Sequence, residues 1–283
     1  MTALLDSFAT MPHWQKVAWV AACLGGAWIA ESRIPLVALD YAKWRHARVT
    51  LTLLASTMLV GAGSIAATVA VVGWTERHGV GLLRVVDWPV WVELLVAVLL
   101  LDLLAQYTAH VVLHQAPWLW PFHVVHHGDE KVDATTGTRI HPGDYLVREC
   151  FVLTALVVGG IPLGAYMAYR LLTVFFTYFT HANIALPAAL DRALGLLVVT
   201  PNMHKFHHHV EAPWTDSNYG NVFSLWDRCF GTLVYDDVRK IRYGLDVLPG
   251  GRDEDLRYQF VLPFDPSVRA GRRFSGTGPG ESR

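Results

Sequence analysis

Apolar residues fall in long uncharged blocks separated by short polar stretches. From Val49 to Trp74 the chain carries no charge at all, more than the roughly 20 residues a helix needs to cross a bilayer core. A shorter block, Val17 to Ala30 between Lys16 and Glu31, predicts a first, tilted crossing rather than a cleaved leader, because no basic start or small-residue cleavage pattern accompanies it. Pro89 opens a third block, Val90 to Leu113, interrupted by Glu93 and Asp102. A fourth, Cys150 to Ile184, is broken by Gly159, Gly160, Pro162 and Gly164 and predicts a helical hairpin. Each limb of that hairpin is short, so a re-entrant pair stays open beside a spanning one. The end from Ser267, rich in Gly, Arg and Ser, is expected to be disordered.

The predicted fold is all-α, a polytopic membrane helical bundle with a cytoplasmic histidine-rich helical cap. Three regions are expected: N-terminal transmembrane helices over 1–88, a catalytic domain with its membrane hairpin over 89–240, and a C-terminal tail over 241–283. Lys and Arg concentrate in 31–48 and 114–149, which fall on one side if each of the first three blocks crosses once. The excess of basic residues makes that side cytoplasmic. Composition agrees with a multi-pass integral membrane protein: 53% of residues are hydrophobic, only 17% are charged and mean hydropathy is +0.31. A net charge of -1 gives no ground for a nucleic-acid partner. Cys23, Cys150 and Cys229 show no paired spacing and read as buried, inert thiols.

The chemistry lies in three histidine clusters on that side: His110 and His114 in HVVLH; His123, His126 and His127 in HVVHH; and His204, His207 and His208 in HKFHH. Residues three and four apart share a helix face, so each cluster aims its imidazoles in one direction. His13, His46 and His78 belong to no spaced group and read as ordinary interfacial or internally satisfied side chains. Packed imidazoles gain nothing from one another unless a shared metal uses their neutral form. Eight exceed what one ion takes and suit two ions a few ångströms apart. Imidazole alone does not choose iron over zinc.

The boxes, in this order around an apolar hairpin, resemble the fatty acid hydroxylase/sterol desaturase superfamily of membrane non-haem di-iron enzymes. The resemblance runs from about 90 to 235 and includes LWPFHVVHHGDE, TRIHP at 138–142, FTHANIALP at 179–187 and VTPNMHKFHHHVEAPWTDSNYGNVFSLWDRCFGT at 199–232. It implies two iron ions, dioxygen as co-substrate, and hydroxylation or desaturation of a lipid or sterol-like substrate drawn from the bilayer. Carried over by position, it makes His110, His114, His123, His126, His127, His204, His207 and His208 iron ligands and adds His181 as a ninth. His141, in the R-x-H-P position, is a tenth candidate that either ligates or shapes the site. His209 extends the last box and is expected at the surface or behind the ligands.

Asp102, an acid inside an apolar helix, is a functional candidate by its cost alone; the structural alternative is a pairing with Arg170. Asn218 is taken with Asp102 as a catalytic candidate. Asp216, Asp227 and Asn183 match polar family positions, with turn and cap chemistry as the alternative. HPGD at 141–144 resembles a haem-binding HPGG, but no room for such a module is expected, so electrons would come from a separate ferredoxin or cytochrome-type protein. Two rival readings are a histidine-ligated zinc membrane hydrolase and a non-enzymatic metal or haem membrane protein. Neither H-E-x-x-H nor a glutamate base beside a cluster supports the first, Glu130 and Glu149 lying nearby but outside such a spacing. Haem uses too few of the histidines to support the second.

Overall fold

The computed structural model describes residues 3–211, 214–245, 248 and 250–271. Among them there is no strand; two isolated bridges, Pro35 to Ile184 and Val198 to Phe223, are the only β pairing. The helices are α1 (Ala3–Ala9), α2 (His13–Arg33), α3 (Lys43–His78), α4 (Val90–Leu101) and α5 (Ala109–Gln115), the last two joined by a π-helical segment, Asp102–Thr108. There follow α6 (Trp120–His127), α7 (Pro142–Gly159), α8 (Leu163–His181), α9 (Ala188–Leu194) and α10 (Pro201–His207). Short helices α11 (Leu225–Cys229), α12 (Leu256–Val261) and α13 (Pro266–Gly271) complete the fold. Residues 272–283, most of the end expected to be disordered, lie outside the described residues.

Local chemistry sets the helix ends. Helix α3 stops where Gly79 takes a left-handed φ of 62°, and α7 where Gly160 takes 61°, conformations that glycine adopts without strain. Pro142 and Pro201 occupy first turns, where the missing N–H is no loss. The predicted hairpin is α7 and α8, and its first limb begins at Pro142, earlier than the apolar block. The two limbs are splayed: α4 packs against both, α3 covers α7, and α1 and α2 cover α8. Ala97, Ala105, Ala155 and Ala165 are fully buried in this core, small residues that let helix backbones approach.

The helices alternate between two ends of the bundle. At one end the Leu5 backbone lies so close to Gly164 that a β-carbon there would meet the Leu5 carbonyl at 2.1 Å; Gly81 meets Gly160 equally closely. At the other end Glu31 of α2 accepts from the backbone N–H of Ala134 and of Asn183, both at 2.7 Å. There too His46 of α3 holds Asp129 at 2.9 and 3.0 Å. All three histidine boxes and His181 lie at this second end.

Two segments are long and apolar enough to cross a membrane, Lys43–Arg84 and Val90–Gln115, and only 22% and 28% of their most apolar windows are buried. Such low burial is unlike the core helix of a soluble domain and supports membrane association. The 21-residue α2, expected as a first crossing, falls outside that pair. Trp14, Trp74, Trp88 and Trp91 are exposed at the first end, Trp44 and Trp118 at the histidine end, with exposed Met58, Leu59, Ile65 and Val69 between them on α3. Trp belts at the two interfaces of a bilayer have this layout. Trp44 and Trp74 lie roughly 45 Å apart along a straight helix at about 1.5 Å per residue, close to a whole bilayer with its headgroups.

The cysteines depart from expectation. None is paired, but Cys150 and Cys229 are exposed and Cys23 is partly so, because their helices turn these faces outward rather than into the core.

Candidate metal centre

Each box is carried by a helix that sets its spacing. His110 and His114 lie one turn apart on α5; His123, His126 and His127 share the inner side of α6; His204 and His207 lie on α10, with His208 as its C-cap. His181 is the last residue of α8. Their nitrogens form two groups in which one atom from each ring lies within 4.8 Å of every other. The first holds His110, His114, His123, His127 and His207; the second holds His126, His181, His204 and His208. The nine residues grouped by spacing and resemblance thus come together, all of them buried.

The groups adjoin. The His127 and His208 rings stack at 4.7 Å with 22° between their planes, and His126 and His208 lie at 4.6 Å. Inside them Nε2 atoms face one another: His110 to His123 at 3.0 Å, His114 to His127 at 3.1 Å, and His181 to His204 at 3.0 Å and to His126 at 3.3 Å. His126 Nδ1, His204 Nδ1, His207 Nε2 and both nitrogens of His208 are buried with no hydrogen-bond partner among the described residues. Buried polar atoms are ordinarily paired, and cations clustered this closely would repel. Burial, reinforced by the neighbouring rings, holds His126, His127, His204, His207 and His208 well below the ordinary imidazole range. Neutral rings with converging lone pairs are the state that binds a metal, and the residues fit two such ions.

The far nitrogens are held as well. His110 Nδ1 meets the Tyr219 carbonyl at 2.8 Å, and His207 Nδ1 the Ser217 carbonyl at 2.7 Å. His181 Nδ1 meets the Thr177 carbonyl at 2.8 Å. His123 Nδ1 meets Asp144 at 2.6 Å and His114 Nδ1 meets Asp216 at 3.0 Å. A proton fixed on Nδ1 leaves Nε2 as the ligand atom. Asp216 therefore touches a ring, as its family position suggested. Asp144 does so too, and nothing in the sequence marked it: four residues before Arg148, which it also holds at 2.7 Å, it reads as a routine first-turn acid.

Asp102 does not meet the rings among its described contacts. Its oxygens accept from the Tyr169 hydroxyl at 2.9 Å, the Phe223 N–H at 3.1 Å and the Trp226 indole at 2.9 Å. The π segment that begins at Asp102 widens the turn between it and the histidines of α5. Arg170 pairs instead with Glu149 at 3.9 Å. Asn218 is likewise behind the rings. It has a left-handed φ of 50°, donates to the Met203 and Val234 carbonyls and accepts from the Val234 N–H. It thereby fixes the turn whose neighbours, Ser217 and Tyr219, present their carbonyls to His207 and His110. Asp227 holds the same turn through the N–H groups of Tyr219 and Gly220. His141 is in neither group; its Nδ1 caps α7 by accepting from the Gly143 N–H at 3.0 Å.

Around the centre, His209 is buried against Trp214 rather than exposed. His46, read as either interfacial or internally satisfied, sits between Asp129 and Asp133. Asn183 exchanges hydrogen bonds with Val37. Lys205, fully buried between His204 and His207, donates to the Ala182 carbonyl; burial brings it down to about 7 against the pull of Glu31 and Asp191. Trp120 packs on His114, His123 and His127, whereas Trp118 faces outward and Phe176 and Tyr178 lie in the core. Glu130 accepts from the Gly251 N–H and Glu149 faces Arg170, so both of these glutamates are engaged away from the boxes.

Comparison with known proteins falls on the same stretch. The fatty acid hydroxylase family model matches residues 94–232. Among curated proteins the chain is similar to ornithine lipid hydroxylase OlsE of Rhizobium tropici, 27% identical over 52% of this chain and 43% of that protein. It is similar also to alkylglycerol monooxygenase of Caenorhabditis elegans, 28% identical over 45% of this chain and 24% of that protein. A cholesterol 25-hydroxylase-like protein of Danio rerio is 30% identical over 55% and 59%. Each match takes in less than two thirds of the relative's own length. No solved structure matches.

Proposed function

Because the chain belongs to the fatty acid hydroxylase family through residues 94–232, we propose that it is a multi-pass membrane oxidoreductase that hydroxylates a lipid with dioxygen at a di-iron centre. The observation that carries this reading is the pair of adjoining groups of buried histidines at one end of a membrane-type bundle. The first group would hold one iron and the second the other. Bound iron would supply the capacity to activate dioxygen and attack an unactivated C–H bond.

The protein's own residues do the rest. Burial keeps the imidazoles neutral, the Nδ1 partners aim them, and Trp120 packs over three of the rings and keeps water from them. Asp102 and Asn218 act as positioning residues through the loop that carries the Tyr219 and Ser217 carbonyls. His141 caps α7 at the rim. The substrate enters sideways from the bilayer between helices whose outer faces are apolar, and the basic end is cytoplasmic. Hydroxylation is favoured over desaturation because the similar proteins are named as hydroxylases and monooxygenases. Electrons come from a separate ferredoxin or cytochrome-type protein.

Metal analysis with optical spectra tests the reading. Protein purified from iron-replete cells should carry about two irons per chain, one for each group, with no haem band, and His126→Ala or His207→Ala should remove iron. Stoichiometric zinc without iron would favour the hydrolase instead.

A further inference from the structure

The two histidine groups are supported very differently from behind. In the five-histidine group, four rings are held by their Nδ1 atoms. His110 and His207 are held by the carbonyls of Tyr219 and Ser217, and His114 and His123 by the carboxylates of Asp216 and Asp144. In the four-histidine group only His181 is held, by the Thr177 carbonyl. His126 Nδ1, His204 Nδ1 and both His208 nitrogens have no partner among the described residues.

Support of this kind acts on affinity in two ways. A ring fixed beforehand loses less rotamer freedom when an ion binds. A carboxylate on Nδ1–H makes Nε2 a stronger donor, and removing such partners ordinarily weakens metal binding by about 10- to 100-fold. Both effects favour the first group.

We propose that the two metal positions are unequal: the five-histidine position holds its ion tightly, with Asp144 and Asp216 as the positioning residues that make it so, and the four-histidine position exchanges its ion. This rests on reading the nine histidines as ligands. The weaker position is thus the one that empties first under a chelator and takes up foreign ions first.

The full chain in detergent micelles, stripped of metal, is titrated with Co2+ alone and followed by ligand-field absorption and bound cobalt. Two binding events are expected, with dissociation constants at least about ten-fold apart. Asp144→Asn should weaken the tighter event about ten-fold or more and leave the weaker one in place. His204→Ala should abolish the weaker event and keep the tighter. Asp216→Asn, at a half-exposed position, gives the same test should Asp144→Asn fail to fold. Two events of equal affinity, or carboxylate variants that weaken the second event instead, would overturn the proposal. Failure of the ligand reading itself looks different: cobalt binding would then be indifferent to both His204→Ala and His207→Ala.

Discussion

Asn218 shows how much of this centre depends on residues that touch no metal. Its left-handed backbone and three side-chain hydrogen bonds set the direction of the carbonyls on either side, and each carbonyl fixes one histidine ring. Asn218→Ala removes those bonds and puts a residue with no local hydrogen-bonding side chain where φ is positive, a conformation that costs about 1–2 kcal/mol. The expected outcome is at least a ten-fold loss of metal affinity at the five-histidine position with the fold retained, read by metal content and far-UV circular dichroism. Unchanged metal content would remove the turn from the support of the site. At this scale the sequence spoke clearly where spacing carries information and was silent where it does not. The proposed ligands announce themselves by recurring every three and four residues. Asp144 and His123 are 21 residues apart, and no local pattern records that they meet.

Among the elements, the π segment is the least legible. A pattern of apolar residues gives a helix over Val90 to Leu113, and the structure has one, but the i→i+5 turn from Asp102 to Thr108 leaves no compositional mark. It holds one more residue than an α-helix closing the same turn, and such bulges gather at functional sites. Here it directs Asp102 to the Phe223–Trp226 loop while His110 and His114, beyond it, face the rings of α6. Inserting one alanine after Leu99 in α4, outside the segment, should rotate one end of the helix against the other by about 100°. We expect the variant to remain helical and to bind less than one metal ion per chain, measured after purification. Full metal content would show that the register of α4 against α5 does not position the histidines. The start at Val90 and the break from Gly159 to Pro162 were legible because Gly and Pro act locally, whereas the wedging of α4 between α7 and α8 depends on contacts distant in sequence.

Across the whole molecule, apolar blocks, Trp layers and a polar end with the histidines describe one bundle. Packing runs across residue 88, where α3 meets α7, and across residue 240, where Leu248, Leu256 and Phe260 pack with Trp120 and Val124. Composition divides the chain more sharply than its contacts do. The exposed Cys229 on α11 offers a handle on orientation. In sealed vesicles a membrane-impermeant maleimide should label it only from the cytoplasmic face, and labelling from the opposite face alone would reverse the topology. Oxygen transfer to a lipid can be read by supplying isotopically heavy dioxygen to cells that express the protein and weighing their lipids by mass spectrometry. A new hydroxylated lipid carrying one heavy oxygen atom from dioxygen is expected, absent when His207 is replaced by Ala. A product whose new oxygen comes from water, or one that persists in the His207→Ala variant, would contradict it.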